Sequence, residues 1–188
     1  MTQMQIAFLV AQTQKGVKEI VGPKHNPTVV EYAQSCTLQA NDDETPWCSE
    51  FVNWCYIIAG LILNNGRMTE LLRQARYEGR DIDMFQSSTL DVLKKITGLP
   101  VRTGDANVKL PTRSALARSW IAFGTRTKSP KRGDIVVFSR GNNGLSGHVA
   151  FVDSIGWTYV QSLGGNQSNA VNVAPYSRAR VLAYITEG

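Results

Sequence analysis

The sequence predicts an α+β domain, with helices in the first part of the chain and an antiparallel sheet in the second. The N-terminal third carries apolar side chains at helical spacing, whereas after Pro130 the spacing changes to period two, with Gly/Asn turns between the apolar runs. Helices first and strands second is the signature of segregated layers, not of alternating βαβ units. The chain is 188 residues long and 43% hydrophobic, which suits one globular domain with its own core and excludes a disordered or fibrous protein.

Each element has a local reason. Met4, Ala7, Phe8 and Ala11 make one apolar stripe, so 3–15 is read as a helix. GPKHNP (22–27) forces a turn, and Thr28 to Leu38 follows as a second helix with Pro27 at its first turn. After the polar run Asn41–Glu44 comes TPWCSEFVNWCYIIAG (45–60), with Thr45 as N-cap, Pro46 at the first helical position and Gly60 as the stop. The charged stretch 67–109 reads as a helical insertion into a single domain spanning 1–188. It holds two short amphipathic helices, Thr69–Gly79 and Ser88–Gly98, the second opened by a Ser88/Asp91 capping box. Residues 98–113 read as loop, and Ser114–Phe123 as a helix stopped by Gly124. DIVVFS (134–139), HVAFVDSI (148–155), WTYVQSL (157–163) and ARVLAYI (179–185) are the strand candidates.

Charge and cysteine content narrow the function classes. Twenty Lys+Arg against fifteen Asp+Glu give +5, and the pI is about 9.2. That balance favours anionic surroundings, but the basic residues are scattered without an aromatic-basic motif, so nucleic acid is not expected as partner. Three cysteines (36, 48, 55) with no CxxC pair, and two histidines, exclude a disulfide framework and a structural zinc site of usual spacing. The acidic run Asp42–Glu44 lacks the alternating spacing of a calcium loop. The apolar run Ile6–Ala11 has neither a basic n-region nor a cleavage site, so it is not read as a signal peptide, and no stretch is long enough to span a membrane.

Cys48 carries the chemistry. Placed near the third position of the Thr45-capped helix, its thiol would meet unpaired backbone N–H groups and the positive end of the helix dipole, both of which favour thiolate. His148 opens a strand after a glycine-rich loop and is the candidate base. A tight turn near Asp153–Gly156 would put Gln161 opposite His148, while Asn166 follows the next strand, so the residue orienting the imidazole is either Asn166 or Gln161. Cys55 lies two turns from Cys48, about 10 Å along a helix and too far for a disulfide. Cys55 and Cys36 read as core residues and His25 as a solvated or capping residue. Trp47 reads as core or groove wall and, with Gln167, is the substrate-contact candidate.

Taken in order, DETPWCSEFVNWC (43–55), SALARSW (114–120), PKRGDIVVFSRG (130–141), GHVAFV (147–152) and LGGNQSNAVNV (163–173) resemble phage and bacterial cell-wall hydrolases related to the CHAP and NlpC-type cysteine peptidases. The resemblance implies a papain-like fold with Cys48 as nucleophile and His148 as base. It also implies a polar pair of the form Glu-x-Asn on the next strand, which here reads Gly164, Gly165, Asn166. The glycine at the Glu position favours a Cys–His–Asn triad and Asn166 over Gln161. The implied activity is hydrolysis of a stem-peptide amide in bacterial peptidoglycan, as endopeptidase or N-acetylmuramoyl-L-alanine amidase, by a monomer with no cofactor or metal. An endolysin that accumulates in the host cytoplasm and is released to the wall is the expected setting. A wall-binding or virion structural module of the same fold, and a secreted cysteine-amidase toxin, are the alternatives.

Overall fold

A computed structural model describes residues 1–64, 109–141 and 144–187. The expected insertion at 67–109, with its two helices, lies almost wholly outside these residues, as does the middle of the 141–147 loop.

Three helices precede the sheet. Helix α1 (Gln3–Thr13) opens with a capping box, in which Thr2 Oγ1 accepts from Gln5 N (3.2 Å) and Gln5 Oε1 accepts from Thr2 N (3.0 Å). Helix α2 (Pro27–Ala33) is capped by Asn26 and stops well before Leu38. There the backbone turns away so that Thr37 N reaches Arg113 O at 2.9 Å. Helix α3 (Cys48–Asn64) starts later and ends later than the sequence suggests. Its first intrahelical bond runs from Phe51 N to Trp47 O (2.9 Å), which makes Trp47 the N-cap. Thr45 lies two residues before that position, in a local turn where Asp42 Oδ1 accepts from its backbone N at 2.6 Å. Gly60 does not stop the helix, because the following turn buries Ile62 in the core, and burial outweighs the glycine penalty of about 1 kcal/mol. The Ser114–Phe123 helix is a short 3-10 segment, Ala117–Ala122.

The sheet has six antiparallel strands in the order β1-β6-β2-β3-β4-β5. They are β1 (Thr125–Arg126), β2 (Ile135–Ser139), β3 (Gly147–Ile155), β4 (Tyr159–Gly164), β5 (Asn172–Ser177) and β6 (Val181–Thr186). The expected α+β architecture is therefore present. The edge strands β1 and β5 were not anticipated; β1 is two residues long, and β5 contains Pro175, which an edge strand tolerates.

Alternation divides the sheet into two faces. Ile135, Val137, Val149, Phe151 and Leu163 join the helices in the main core. Val136, Phe138, Ala150, Val152 and Val160 form a smaller cluster with Tyr176 and Tyr184 packed against it. Asn53 and Ser49 on α3 fasten the 112–120 segment to the core. Asn53 Oδ1 accepts from Arg113 N (2.7 Å), and Ser49 Oγ donates to Ser114 O (2.6 Å) while accepting from Trp120 Nε1 (3.0 Å). Glu187 closes the fold by accepting from Met4 N (2.7 Å) and from the Tyr56 hydroxyl.

Candidate active site

Cys48 is the first residue of α3, not the third, and is 4% exposed. Backbone N–H groups near its sulfur, of Val149, Ser49 and Cys48 itself, favour the ionised form. Val149 follows His148 on β3, so the start of α3 lies against the start of that strand. Those N–H groups, and the charge of Arg140, pull the thiol pKa down, but burial is the larger effect and the net shift is upward. Burial thus works against the thiolate that the helix start favours. Cys36 and Cys55 are fully buried free thiols, and burial pushes Cys36 up to about 11.

His148 pairs with Phe138 across β2–β3 and is 3% exposed. Its ring stacks on Tyr176 with centroids 4.9 Å apart at 18°. Its Nε2 lies 3.0 Å from Gln167 Oε1. The orientation of that amide is set by its other end, where Gln167 Nε2 donates to Asn172 O (2.6 Å), Asn172 Oδ1 (3.1 Å) and Ser162 O (3.1 Å). Oε1 can only accept, so His148 Nε2 must carry the proton, and Nδ1 is left with a free lone pair. Desolvation is the main cause that lowers the His148 pKa to about 4, with Arg140 and Arg180 adding to it and Gln167 opposing it.

The structure thus puts Gln167 where the sequence suggested Asn166 or Gln161. Gln161 pairs with Ser154 because the β3–β4 hairpin turns around residues 156–158, later than expected, and a bulge between Val152 and Ser154 shifts the register. It lies six residues along β3 from His148, about 20 Å at strand rise. Asn166 makes no hydrogen bond to His148 among the described residues. Its backbone is left-handed (φ 54°), as are Ser168 (φ 54°) and Asn169 (φ 60°), and this tight loop turns the next side chain, Gln167, inward. Both ends of the Gln167 amide are engaged by His148, Ser162 and Asn172, so it does not offer the substrate contact expected of it. Trp47 is also fully buried, with Nε1 donating to Glu19 Oε1 at 2.6 Å, so it too is no groove wall.

The two glycines before Asn166 have a packing reason. A Cβ at Gly164 would lie 2.8 Å from Ala150 Cβ and 3.1 Å from Gln167 Oε1, and one at Gly165 would lie 2.5 Å from Trp47 Cζ3. No glutamate fits the Glu position of the Glu-x-Asn pattern. Gln167 was visible in the sequence as a polar residue beside Asn166, but which of the two faces the imidazole depends on the left-handed backbone.

The acidic run is structural. Asp43 is fully buried and accepts from Ile20 N (2.9 Å), Asn26 N (2.9 Å) and His25 Nδ1 (3.0 Å), while Asp42 holds Glu44 N and Thr45 N. Asn41, which opens this run, is exposed.

The CHAP domain family model matches residues 40–166, a span that holds Cys48, His148 and the start of the Gln167 loop. No curated protein and no solved structure matches the chain.

Proposed function

The chain belongs to the CHAP domain family of peptidoglycan-hydrolase-type amidases and peptidases, and from that premise we propose that it cleaves a stem-peptide amide of peptidoglycan with Cys48 as nucleophile. The observation that carries the proposal is the 3.0 Å contact between His148 Nε2 and Gln167 Oε1. Gln167 holds the Nε2 proton, so Nδ1 is the nitrogen free to take a proton from a thiol at the start of α3.

The reaction begins from a neutral pair. Nδ1 accepts the thiol proton as the sulfur bonds to the amide carbonyl carbon, giving a tetrahedral oxyanion and an imidazolium. Gln167 Oε1 stabilises that imidazolium through Nε2–H. The backbone N–H groups at the start of α3 supply positive potential for the oxyanion. The C–N bond then breaks, Nδ1–H protonates the leaving amine, and a thioester remains on Cys48. Water, deprotonated by Nδ1, attacks the thioester, and the thiol is restored as the acid product leaves. No metal or organic cofactor enters any step. Acting on walls as a monomer of the endolysin kind is the setting in which this chemistry would be used.

The test is digestion of purified peptidoglycan, followed by mass spectrometry of the soluble products. The parent should release fragments with one new amine per cut, and the bond is read from their masses. Cys48→Ala with an unchanged circular dichroism spectrum should release none. Lysis retained by that variant would remove Cys48 from the reaction.

A further inference from the structure

Residues 16–26 form a strap bonded to both the loop that presents Gln167 and the turn that precedes Cys48. On the loop side, Gly16 N donates to Val171 O (3.0 Å), Val171 N to Val17 O (2.8 Å) and Glu19 N to Asn169 O (2.9 Å), and Lys18 pairs with Ala170 as a single antiparallel bridge. On the other side, Asp43 accepts from Ile20 N (2.9 Å) and Asn26 N (2.9 Å), while Asn26 Nδ2 donates to Lys18 O (2.7 Å) and closes the strap on itself. Glu19 sits where the two sides meet. Its backbone N–H holds the loop, and its carboxylate accepts from Trp47 Nε1 at 2.6 Å. Trp47 is the N-cap of α3 and the residue before Cys48. It packs on Gly165 in the same loop, where an added Cβ would lie 2.5 Å from Trp47 Cζ3.

These contacts make a closed circuit: Glu19 to Trp47, Trp47 to Gly165, and the loop back to Glu19. Packing between Trp47 and Gly165 prevents a closer approach but does not prevent sliding, whereas a hydrogen bond fixes direction. The Glu19 bond has reason to be strong. Trp47 is fully buried, its N–H can only donate, and a carboxylate acceptor makes the bond charge-assisted. The groups that Glu19 joins stand next to the reacting pair in the chain: Trp47 is one residue from Cys48, and Asn169 is two from Gln167. A thiol carried on a helix and an imidazole carried on a sheet must meet at a fixed distance, and a misplacement of about 1 Å can cost about 100-fold in rate.

We propose that Glu19 is a positioning residue for the amide cleavage, holding the start of the nucleophile helix and the loop that orients the base in one register. The inference rests on the reading of Cys48 as nucleophile and His148 as base. Glu19 acts through Trp47 on one side and Asn169 on the other, not on a reacting atom. Its main-chain bond to Asn169 does not depend on its side chain, so substitution removes the Trp47 bond alone. Loss of that bond leaves a buried N–H unpaired. The cap residue then shifts toward another acceptor and carries Cys48 with it, while the loop stays on the strap. The rate of the chemical step falls, and the affinity for substrate changes little.

The experiment uses a soluble muropeptide that the parent cleaves, assayed at a temperature where circular dichroism shows each variant folded. Glu19→Ala should lower kcat by about tenfold or more while KM stays within about twofold of the parent's. Glu19→Gln, whose amide oxygen can still accept from Trp47 Nε1, should recover most of that loss. Trp47→Phe removes the same bond from its other end, so combining it with Glu19→Ala should lower kcat by less than the product of the two single effects. If Glu19→Ala does not fold, Glu19→Asp, one methylene shorter, takes its place with the same expectation. Parental kcat in the folded variant, a change confined to KM, or a Glu19→Gln protein as slow as the variant it should rescue would overturn the inference while leaving the amidase reading in place. A parent that cleaves no muropeptide and no intact wall would remove that reading and this inference together.

Discussion

The imidazole of His148 is held on three sides: Tyr176 stacks on one face, Gln167 accepts at Nε2, and Phe138 stands next to it across the strand pair at 6.2 Å. A ring so enclosed has one tautomer and one orientation, and holding it so is the role the proposed mechanism gives to Gln167. Gln167→Ala should leave a buried N–H unpaired and let the ring tip, lowering kcat by about 100-fold or more while KM changes little. A purified Gln167→Ala protein with parental kcat would show that the ring needs no such hold. With His148 as the proposed base, its depressed pKa predicts the acid limit of activity. The base must be neutral, so kcat/KM of the free enzyme should fall as pH drops through about 4, not through the ordinary histidine value of 6.5. A half-maximal point near 6.5 would mean that the ring is solvated in the working enzyme.

At the scale of elements, the loop between β4 and β5 is where the site is built and where the sequence is hardest to read. The helical start of the chain and four of the six strands, β2, β3, β4 and β6, follow from apolar spacing. Cys48 and His148 are also legible, because a nucleophile near a helix start and a histidine after a glycine loop are positional signals. The orienting residue was not, for two reasons: a one-residue bulge at Val152–Ser154 and a turn later than the Gly156 signal move the register of β4, and three left-handed residues between 166 and 169 decide which side chain points inward. Neither leaves a periodic trace. The start of α3 differs from the expected one because residues 42–45 form an Asp-centred turn of their own, leaving Trp47 to open the helix.

Gly165 tests this loop as a unit. It sits over Trp47 and Phe51 with no room for a methyl group. Gly165→Ala should cost about 1–3 kcal/mol by overpacking. Because the loop must lift to relieve the contact, kcat should fall more than the loss of stability alone explains, as Gln167 withdraws from His148. Thermal unfolding and steady-state rates measured on the same preparation separate the two effects. A destabilised but fully active variant would place the loop's movement away from Gln167.

At the scale of the whole molecule, the stability of the domain depends on two buried ionisable groups that pull in opposite directions. Glu50, on the first turn of α3, is 1% exposed, and its Oε1 has no partner among the described residues. Burial first, and the charge of Asp42 second, raise its pKa from 4.5 to about 7. The folded state therefore holds the proton more tightly than the unfolded chain. Its stabilising contribution is fully present below pH 4.5 and is lost as pH rises through about 7. His148 has the reverse sign: its folded pKa is depressed from 6.5 to about 4, so its contribution is present above pH 6.5 and lost as pH falls through about 4. Across the shared window the two partly cancel, and the parent can show a flat profile that conceals both. The difference between parent and Glu50→Gln isolates the first group. The gain in melting temperature of Glu50→Gln should be smallest near pH 4.5, grow through the window and level off above pH 7, reaching several degrees for a domain of this size. A difference that stays constant with pH would mean that Glu50 is already ionised in the folded protein at pH 5, and that a counter-charge reaches the first turn of α3.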